Sequence, residues 1–188
     1  LYEIIPVNRS NIDHINHKIF TSNFYDNSIP ELINDINPDY VVNCAAMGNV
    51  DSCEKEQKKA NGINYLFVVK IVDILKTSSK SKLIHFSSNA IYDGLKPPYN
   101  ENSVSNPLNF YGITKMKADE YIRKNINNSN FSILRPISIY GPVKHFQRNN
   151  PVNWMIQELK SKREIKLVND VFANMIYIDD VAKSIHHL

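Results

Sequence analysis

The chain has 188 residues, of which 43% are hydrophobic and 22% are charged, as in an ordinary globular protein with one sizeable core. Its net charge of +3 is small and its lysines are scattered, which argues against a nucleic-acid partner. No apolar run approaches the ~20 residues of a membrane helix, and the first residues lack the pattern of a signal peptide. We therefore expect a cytoplasmic protein that binds neither nucleic acid nor a membrane.

Short β-type runs alternate with longer helical patterns along the chain, which predicts a parallel sheet covered by helices. The predicted strands are 1–7, 40–45, 82–87 and 131–135, with shorter candidates at 164–168 and 174–177. The predicted helices are 28–36, 51–77, 107–124, 150–161 and 179–188. A loop rich in Asn, Pro, Ser and Gly is expected over residues 89–106.

The two cysteines, Cys44 and Cys53, do not have the spacing of a metal site, so no metal is expected. Cys44 falls inside a strongly apolar strand pattern, which predicts a reduced and buried thiol. A reduced thiol also agrees with the expected cytoplasmic location.

Tyr111 and Lys115 lie four residues apart near the start of a predicted helix, so their side chains share one face. A Lys ammonium beside a phenol would lower the Tyr pKa from its usual value of about 10. Such a Tyr is a suitable general acid for a carbonyl oxygen whose carbon receives hydride. Ser88, just after the strand 82–87, could donate a hydrogen bond to the same oxygen at the sheet edge where ligands bind. The spacing alone also fits an amphipathic helix without catalysis.

Five segments of the chain together match the pattern of one family. They are Val42-Asn43-Cys44-Ala45-Ala46, Asn64, the run from Phe86 to Gly94, Tyr111-Gly112-Ile113-Thr114-Lys115, and Leu134-Arg135-Pro136 with Ile139-Tyr140-Gly141. In this order and at these separations, they resemble the extended short-chain dehydrogenases/reductases. Val50-Asp51-Ser52-Cys53-Glu54 and Tyr92-Asp93-Gly94 look like the dTDP-4-dehydrorhamnose reductase branch. The resemblance implies a Rossmann-like, doubly wound parallel sheet, with one NAD(P)-binding domain over 1–188 and substrate-lobe elements around 140–176.

The same resemblance implies that a dinucleotide, NADP or NAD, lies across the sheet edge. The matching cofactor positions are Asp13, His14, Ala45, Ala46, Met47, Asn64, Phe86, Tyr111, Lys115, Pro136 and Ile137. Ser88 and Asn89 match positions that meet the sugar substrate. Alternatives without a cofactor stay open. Asp13 could be a surface residue in a turn, and the two alanines could serve only to pack the end of a buried strand. Asn64 could form its hydrogen bond with another partner.

Arg9 bears on the choice of cofactor. It follows the first predicted strand, and Asn8-Arg9-Ser10 contains no carboxylate to hold a ribose 2′-hydroxyl. An Arg at this point can instead accommodate a 2′-phosphate, which favours NADP(H) over NAD(H). An exposed loop Arg without a ligand is the alternative.

The sequence departs from the family pattern at its start. Dinucleotide folds open with a strand and a Gly-X-X-Gly-X-X-Gly-type loop that holds the pyrophosphate. The chain has only five glycines, and no two of them have that spacing. We therefore expect that the first strand and glycine loop are missing because the chain is a fragment of a longer protein. A natural chain that has lost cofactor binding is the alternative.

The leading hypothesis is a reductase of a nucleotide-activated keto-sugar, with Tyr111, Lys115 and Ser88 as catalytic residues. Asn89 and Ala90 stand where the reductase branch usually carries an acidic and an aromatic residue, which leaves the sugar open. An epimerase or dehydratase of the same fold is the nearest alternative. A non-catalytic regulatory relative is the alternative from another class. A homodimer is a candidate assembly.

Overall fold

The computed structural model describes residues 2–10, 19–77, 80–143, 149–171 and 173–188. Two sequence predictions, the cofactor positions Asp13 and His14, lie outside the described residues. The chain divides into two compact units, Leu1–Ile133 and Leu134–Leu188. The single domain expected over 1–188 stays a prediction, and each unit is described by itself below.

The strands of the first unit run parallel where their register is defined. Strand β1 (Val7–Asn8) pairs in parallel with β2 (Phe20–Thr21). A three-stranded sheet has the order β3 (Tyr40–Asn43), β4 (Lys82–Phe86) and β5 (Phe131–Leu134), and β3 pairs with β4 in parallel. Parallel neighbours need crossover connections, and the chain supplies them as helices. This is the α/β arrangement expected from the alternating pattern.

Five α-helices belong to this unit among the described residues: α1 (Ser28–Ile36), α2 (Val50–Lys55), α3 (Gln57–Asn61), α4 (Phe67–Leu75) and α5 (Phe110–Asn125). A π-helical turn, Gly62–Leu66, joins α3 to α4. Short 3-10 turns lie at Asn89–Ile91 and Asn128–Asn130. The long helix predicted over 51–77 is therefore interrupted twice, once at Glu56, which leaves helical geometry (φ −116°, ψ 52°), and once at the π turn.

The core of the first unit packs α1, α4 and α5 against β4. Its buried members are Ile29, Ile33, Phe67, Val68, Ile71, Val72, Leu75, Leu83, Ala118, Ile122 and Ile126. Burial of each large aliphatic side chain contributes roughly 1.5–3 kcal/mol, so this cluster is the main source of stability. It also fixes α5 against β4, which positions the residues described below.

Two expectations about β3 are corrected. The strand ends at Asn43 rather than at residue 45, and Tyr40 and Val42 are 41% and 44% exposed, so it is not covered on both faces. Cys44 follows the strand and is exposed, whereas Cys53 is the buried cysteine. Cys44 lies one residue past the end of β3, outside its paired part, and this position accounts for its exposure.

The second unit is smaller. Strand β6 (Ile139–Tyr140) pairs in parallel with β7 (Ile176–Tyr177), and helices α6 (Pro151–Lys160) and α7 (Ile178–His186) accompany them. The strand predicted at 164–168 is wrong: this stretch is irregular and four of its five residues are exposed.

The strand predicted at 1–7 in the first unit is only the short β1, Val7–Asn8. Among the described residues, no helix has both the length and the apolar character required to cross a bilayer.

Candidate active site

The turn that follows β3 is held by two buried amide side chains. Asn43 accepts a hydrogen bond from the backbone N–H of Ala45 through Oδ1 at 3.1 Å. Asn64 accepts from the N–H of Met47 at 2.8 Å and donates to its carbonyl at 3.2 Å. Ala46, between them, is exposed. The backbone of the turn is thus fixed by Asn43 and Asn64, with a small side chain facing outward.

Asn64 also links this turn to helix α5. It lies in the π-helical turn, is 0% exposed, and donates through Nδ2 to the Thr114 hydroxyl at 3.1 Å. Thr114 in turn donates to the carbonyl of Tyr111 at 2.7 Å. π-Helical turns are frequent at functional sites. Here the Asn64 side chain ties the turn after β3 to the first turn of α5.

Two side chains cap the N-terminus of α5. Asn109 accepts from the N–H of Gly112 at 2.8 Å, as an N-cap residue does. Glu54, the last residue of the Val50–Glu54 motif, accepts from the N–H of Phe110 at 2.6 Å. A carboxylate at this end also interacts favourably with the helix dipole. Helix α2 and the N-cap together fix the turn that carries Tyr111.

Gly112 allows α5 to approach the segment after β4 closely. A Cβ at this position would lie 2.2 Å from the carbonyl oxygen of Ala90 and 2.9 Å from Cβ of Pro107. The segment itself is ordered by Ser88, whose hydroxyl accepts from the N–H of Ala90 at 3.1 Å. The absence of a side chain at Gly112 therefore brings Tyr111 next to Ser88.

Tyr111 is half-buried, and burial raises its pKa above 10, while hydrogen bonding with Ser88 acts in the opposite direction. The lowered pKa expected from a neighbouring Lys is not what the structure shows. The reason is that the Lys115 ammonium donates its hydrogen bond to the Phe86 carbonyl instead. Tyr111 consequently keeps its proton at neutral pH.

Lys115 is 1% exposed, and its Nζ donates a short hydrogen bond to the carbonyl of Phe86 at the end of β4. Burial lowers the Lys115 pKa from 10.5 to about 8, while the charge of Asp119 and the thiol of Cys44 act to raise it. The ammonium therefore remains largely protonated at neutral pH. It joins the first turns of α5 to the carboxyl end of β4, where β3 also ends.

The Tyr92-Asp93-Gly94 motif orders the loop beyond Ser88. The Asp93 carboxylate accepts from the Tyr99 hydroxyl at 2.6 Å, from Asn106 at 3.0 Å and from the N–H of Leu95 at 2.9 Å. These hydrogen bonds lower the Asp93 pKa to about 2. The rings of Tyr92 and Tyr99 stack with centroids 4.4 Å apart. The motif thus explains how a long loop keeps one shape.

The structure brings together most of the residues predicted for the site. The contacts above connect Met47, Asn64, Tyr111 and Ser88, and they separately connect Phe86 with Lys115 and Ala45 with Asn43. Ala46 and Asn89 are exposed. Arg9 is exposed after β1, and no hydrogen bond within the described ranges joins it to this cluster. Pro136 and Ile137 are half-buried in the second unit.

Sequence reasoning missed several residues whose contacts order the site: Asn43, Glu54, Asn109 and Thr114. Asn43 carried a usable signal, because a polar residue inside an apolar strand pattern needs a buried partner. Within the ranges that the structure describes, no group of three or more His, Cys, Asp and Glu side chains could hold a metal ion.

Comparison with known proteins gives the family. The model of the RmlD substrate binding domain matches residues 4–188. The chain belongs to this family. Spore coat polysaccharide biosynthesis protein SpsK of Bacillus subtilis (strain 168) is 31% identical over 152 residues, which cover 79% of this chain and 50% of that protein. Methionine adenosyltransferase 2 subunit beta of Xenopus tropicalis is 34% identical over 119 residues, which cover 62% of this chain and 34% of that protein.

Solved structures agree with the fold of this RmlD-family chain. The dTDP-4-dehydrorhamnose reductase of Bacillus anthracis str. Ames, in complex with NADP, superposes with a TM-score of 0.82 at 23% identity. The superposition covers 97% of this chain and 69% of the reductase. The superposition confirms the expected Rossmann-like α/β fold, and the family model confirms the resemblance to this branch. The chain spans half or less of the length of the two relatives above.

Proposed function

We propose that this chain is the core of a reductase that acts on a nucleotide-activated keto-sugar with NADP(H), or NAD(H), as hydride donor. The observation that carries the proposal is the pairing of the Ser88 and Tyr111 hydroxyls near the N-terminus of α5, with Lys115 of the same helix bonded to the Phe86 carbonyl at the end of β4. Membership of the RmlD family and the similarity to a polysaccharide biosynthesis protein support the substrate class.

The residues around the turn after β3 fit the nicotinamide and ribose half of a dinucleotide. The turn exposes a small side chain at Ala46 and has its backbone fixed by Asn43 and Asn64, so a flat ring can approach it. Lys115, protonated at neutral pH, is the candidate partner for the ribose hydroxyls. The cofactor supplies a hydride when it is bound. The glycine spacing that would hold the pyrophosphate does not occur in this sequence, so the fit concerns this half.

NADP(H) is favoured over NAD(H) by one observation. Arg9 follows β1 without a neighbouring carboxylate, as suits a 2′-phosphate. The preference is testable by titrating both cofactors and replacing Arg9 with Ala, which should weaken NADP(H) binding more than NAD(H) binding.

Tyr111 is the proposed general acid. Its raised pKa keeps the phenol protonated, so it can give its proton to the carbonyl oxygen as the carbonyl carbon accepts hydride, leaving an alcohol. Ser88 would donate a hydrogen bond to the same oxygen and stabilise the charge that develops there. Asn89, exposed beside it, is the candidate contact for the sugar.

The finer proposal is a dTDP-4-dehydrorhamnose reductase-like activity on a keto-deoxy-sugar. An epimerase or dehydratase of the same fold is the nearest alternative. Ser88-Asn89-Ala90 lacks the acid–base carboxylate that dehydratases would require next to the serine. An epimerase would retain its cofactor through purification, so the absorbance spectrum of the purified intact protein separates epimerase from reductase.

Replacement of Tyr111 with Phe in the intact protein tests the reductase proposal. Turnover should fall by at least ~10²-fold, because general acid catalysis contributes that much, while cofactor affinity stays nearly the same. Tyr121→Phe, on the same helix and hydrogen-bonded to Asp73, is the control that should keep turnover. Unchanged turnover in Tyr111→Phe would eliminate the mechanism.

A non-catalytic subunit is the second candidate. It is supported by the similarity to methionine adenosyltransferase 2 subunit beta, whose name describes a subunit of another enzyme. The hydrogen-bonded Ser88 and Tyr111, with Lys115 on the same helix, favour the reductase. If the intact protein binds a dinucleotide but reduces no keto-sugar nucleotide, and Tyr111→Phe changes nothing, the subunit candidate is preferred.

A further inference from the structure

Asn43 and His85 form a buried polar pair between two strands. They are directly opposed in the parallel register of β3 and β4. Asn43 is 5% exposed and His85 is 0% exposed. Nδ2 of Asn43 lies 3.1 Å from Nδ1 of His85. The pair stands at the carboxyl end of β3, immediately before the turn that the proposed function assigns to the cofactor.

The hydrogen bonds of Asn43 determine the protonation of His85. Oδ1 of Asn43 accepts from the N–H of Ala45, so Nδ2 is the atom that faces the imidazole. An amide nitrogen can only donate, and Nδ1 of His85 must therefore accept. The proton of a neutral His85 then resides on Nε2. One side chain thus fixes both the turn backbone and the imidazole tautomer.

His85 lies on the face of β4 that is turned toward α5. Leu83, two residues earlier and on the same face, packs in the core with Ala118 and Ile122 of α5. Burial, and then the charge of Lys115, hold the pKa of His85 well below 6.5, so the imidazole is uncharged. Asp119 and Cys44 are the other titratable groups that act on Lys115. An uncharged imidazole leaves Lys115 as the cation of this region.

We propose that Asn43 and His85 are a positioning pair that fixes the turn after β3 relative to Lys115, so that backbone and ammonium meet the same cofactor. This inference rests on the proposed function for its catalytic meaning. Protonation of His85 would make both ring nitrogens donors, break the bond from Asn43 and place a second positive charge beside Lys115. The pair therefore works only as a donor amide facing a neutral imidazole.

Nitrogen NMR of the histidine rings in the intact protein tests the pair without any turnover. In the wild type, Nδ1 of His85 should show the shift of an unprotonated nitrogen and Nε2 that of a protonated one, down to pH 5.5. In Asn43→Asp, the amide donor becomes an acceptor, and Nδ1 should become protonated. A protonated Nδ1 in the wild type, or no change in Asn43→Asp, overturns the pair.

Measurements of cofactor binding test whether the Asn43–His85 pair positions the turn. His85→Leu removes the acceptor and should raise the dissociation constant for NADPH about 10-fold, the effect of one lost hydrogen bond, with kcat changed less than the affinity. His85→Gln restores an acceptor and should return the affinity to within about 2-fold of the wild type. Equal weakening by both variants, or a loss confined to kcat, overturns the positioning role. If the wild type binds no dinucleotide, the proposed function fails, and the NMR result still decides whether the pair exists.

Discussion

Asn64 donates a hydrogen bond from its side-chain amide to the hydroxyl of Thr114 at 3.1 Å, although 50 residues separate them in sequence. Through the same amide, Asn64 holds both backbone groups of Met47. One fully buried side chain thus connects the turn after β3 to the helix that carries Tyr111 and Lys115. The proposed active site depends on this connection.

Removal of that connection should destabilise the protein. In Asn64→Ala, the N–H and carbonyl of Met47 and the Thr114 hydroxyl lose a buried partner, so the free energy of unfolding should fall by about 2–3 kcal/mol. Urea denaturation followed by circular dichroism measures it. Asn61→Ala, one turn earlier in α3 and half-buried, is the control and should cost less than about 1 kcal/mol. Equal losses in both variants would contradict the linking role of Asn64.

Gly112 should not tolerate a methyl group. Its Cβ would meet the Ala90 carbonyl at 2.2 Å, so Gly112→Ala must push α5 away from the Ser88 segment. We expect a loss of about 1–3 kcal/mol of stability, typical of overpacking, and a marked fall in turnover. Gly48→Ala is the matched control, because nothing lies within 4 Å of a Cβ at Gly48. A Gly112→Ala variant as stable as the wild type would show that the close contact is not tight.

Lys115 should make stability depend on alkaline pH. Its pKa is about 8 in the folded chain and 10.5 as the ordinary value, so between these pH values the unfolded state binds more protons. The free energy of unfolding should therefore rise with pH across this window, at about 1.4 kcal/mol per pH unit and by about 3 kcal/mol in total. Below this window, Lys115 should not make it depend on pH.

The difference between wild type and Lys115→Met isolates this effect from other titrations. The stability of the wild type relative to Lys115→Met should increase from pH 8 to pH 10.5. Lys117→Met, which removes an exposed lysine from the same helix, should show no such trend. A constant difference between wild type and Lys115→Met would mean that burial does not perturb Lys115.

Asp93 should control the shape of the loop beyond Ser88. Asp93→Asn weakens the hydrogen bonds that the carboxylate accepts from Tyr99 and Asn106, so the loop should open more often. Thermolysin should then cleave faster at the exposed Leu95 and Val104, which mass spectrometry detects. Asp170→Asn, at an exposed position of the second unit, should leave the cleavage rate unchanged.

The sequence predicted the elements whose patterns are strong and local. Helix α1 begins and ends where predicted, and β4 is shorter by one residue. The sequence also predicted one region for Ser88, Tyr111 and Lys115, because the carboxyl ends of parallel strands meet at one edge of a sheet. The sequence did not predict the π turn within the helix expected over 51–77, because the apolar spacing continues through that turn. Asn64 in that turn contacts Met47 and Thr114, which are distant in sequence and which local spacing does not show.

The electrostatics of the site also required the structure. Four-residue spacing places Tyr111 and Lys115 on one helix face, but it does not say where the long lysine side chain ends. In the fold its ammonium meets the Phe86 carbonyl, and burial decides the direction of both pKa shifts. The exposure of Cys44 likewise required the structure, because the apolar pattern does not show that β3 ends at Asn43.

Deuterium transfer tests the central proposal most directly. The intact protein is incubated with a dTDP-4-keto-deoxy-sugar and with NADPH that carries deuterium at the transferable C4 position. The mass of the sugar product is then measured by mass spectrometry. The proposed chemistry predicts an alcohol with one deuterium at the former carbonyl carbon, formed by the wild type and not by Tyr111→Phe. An unreduced sugar, or a product without deuterium, would contradict it.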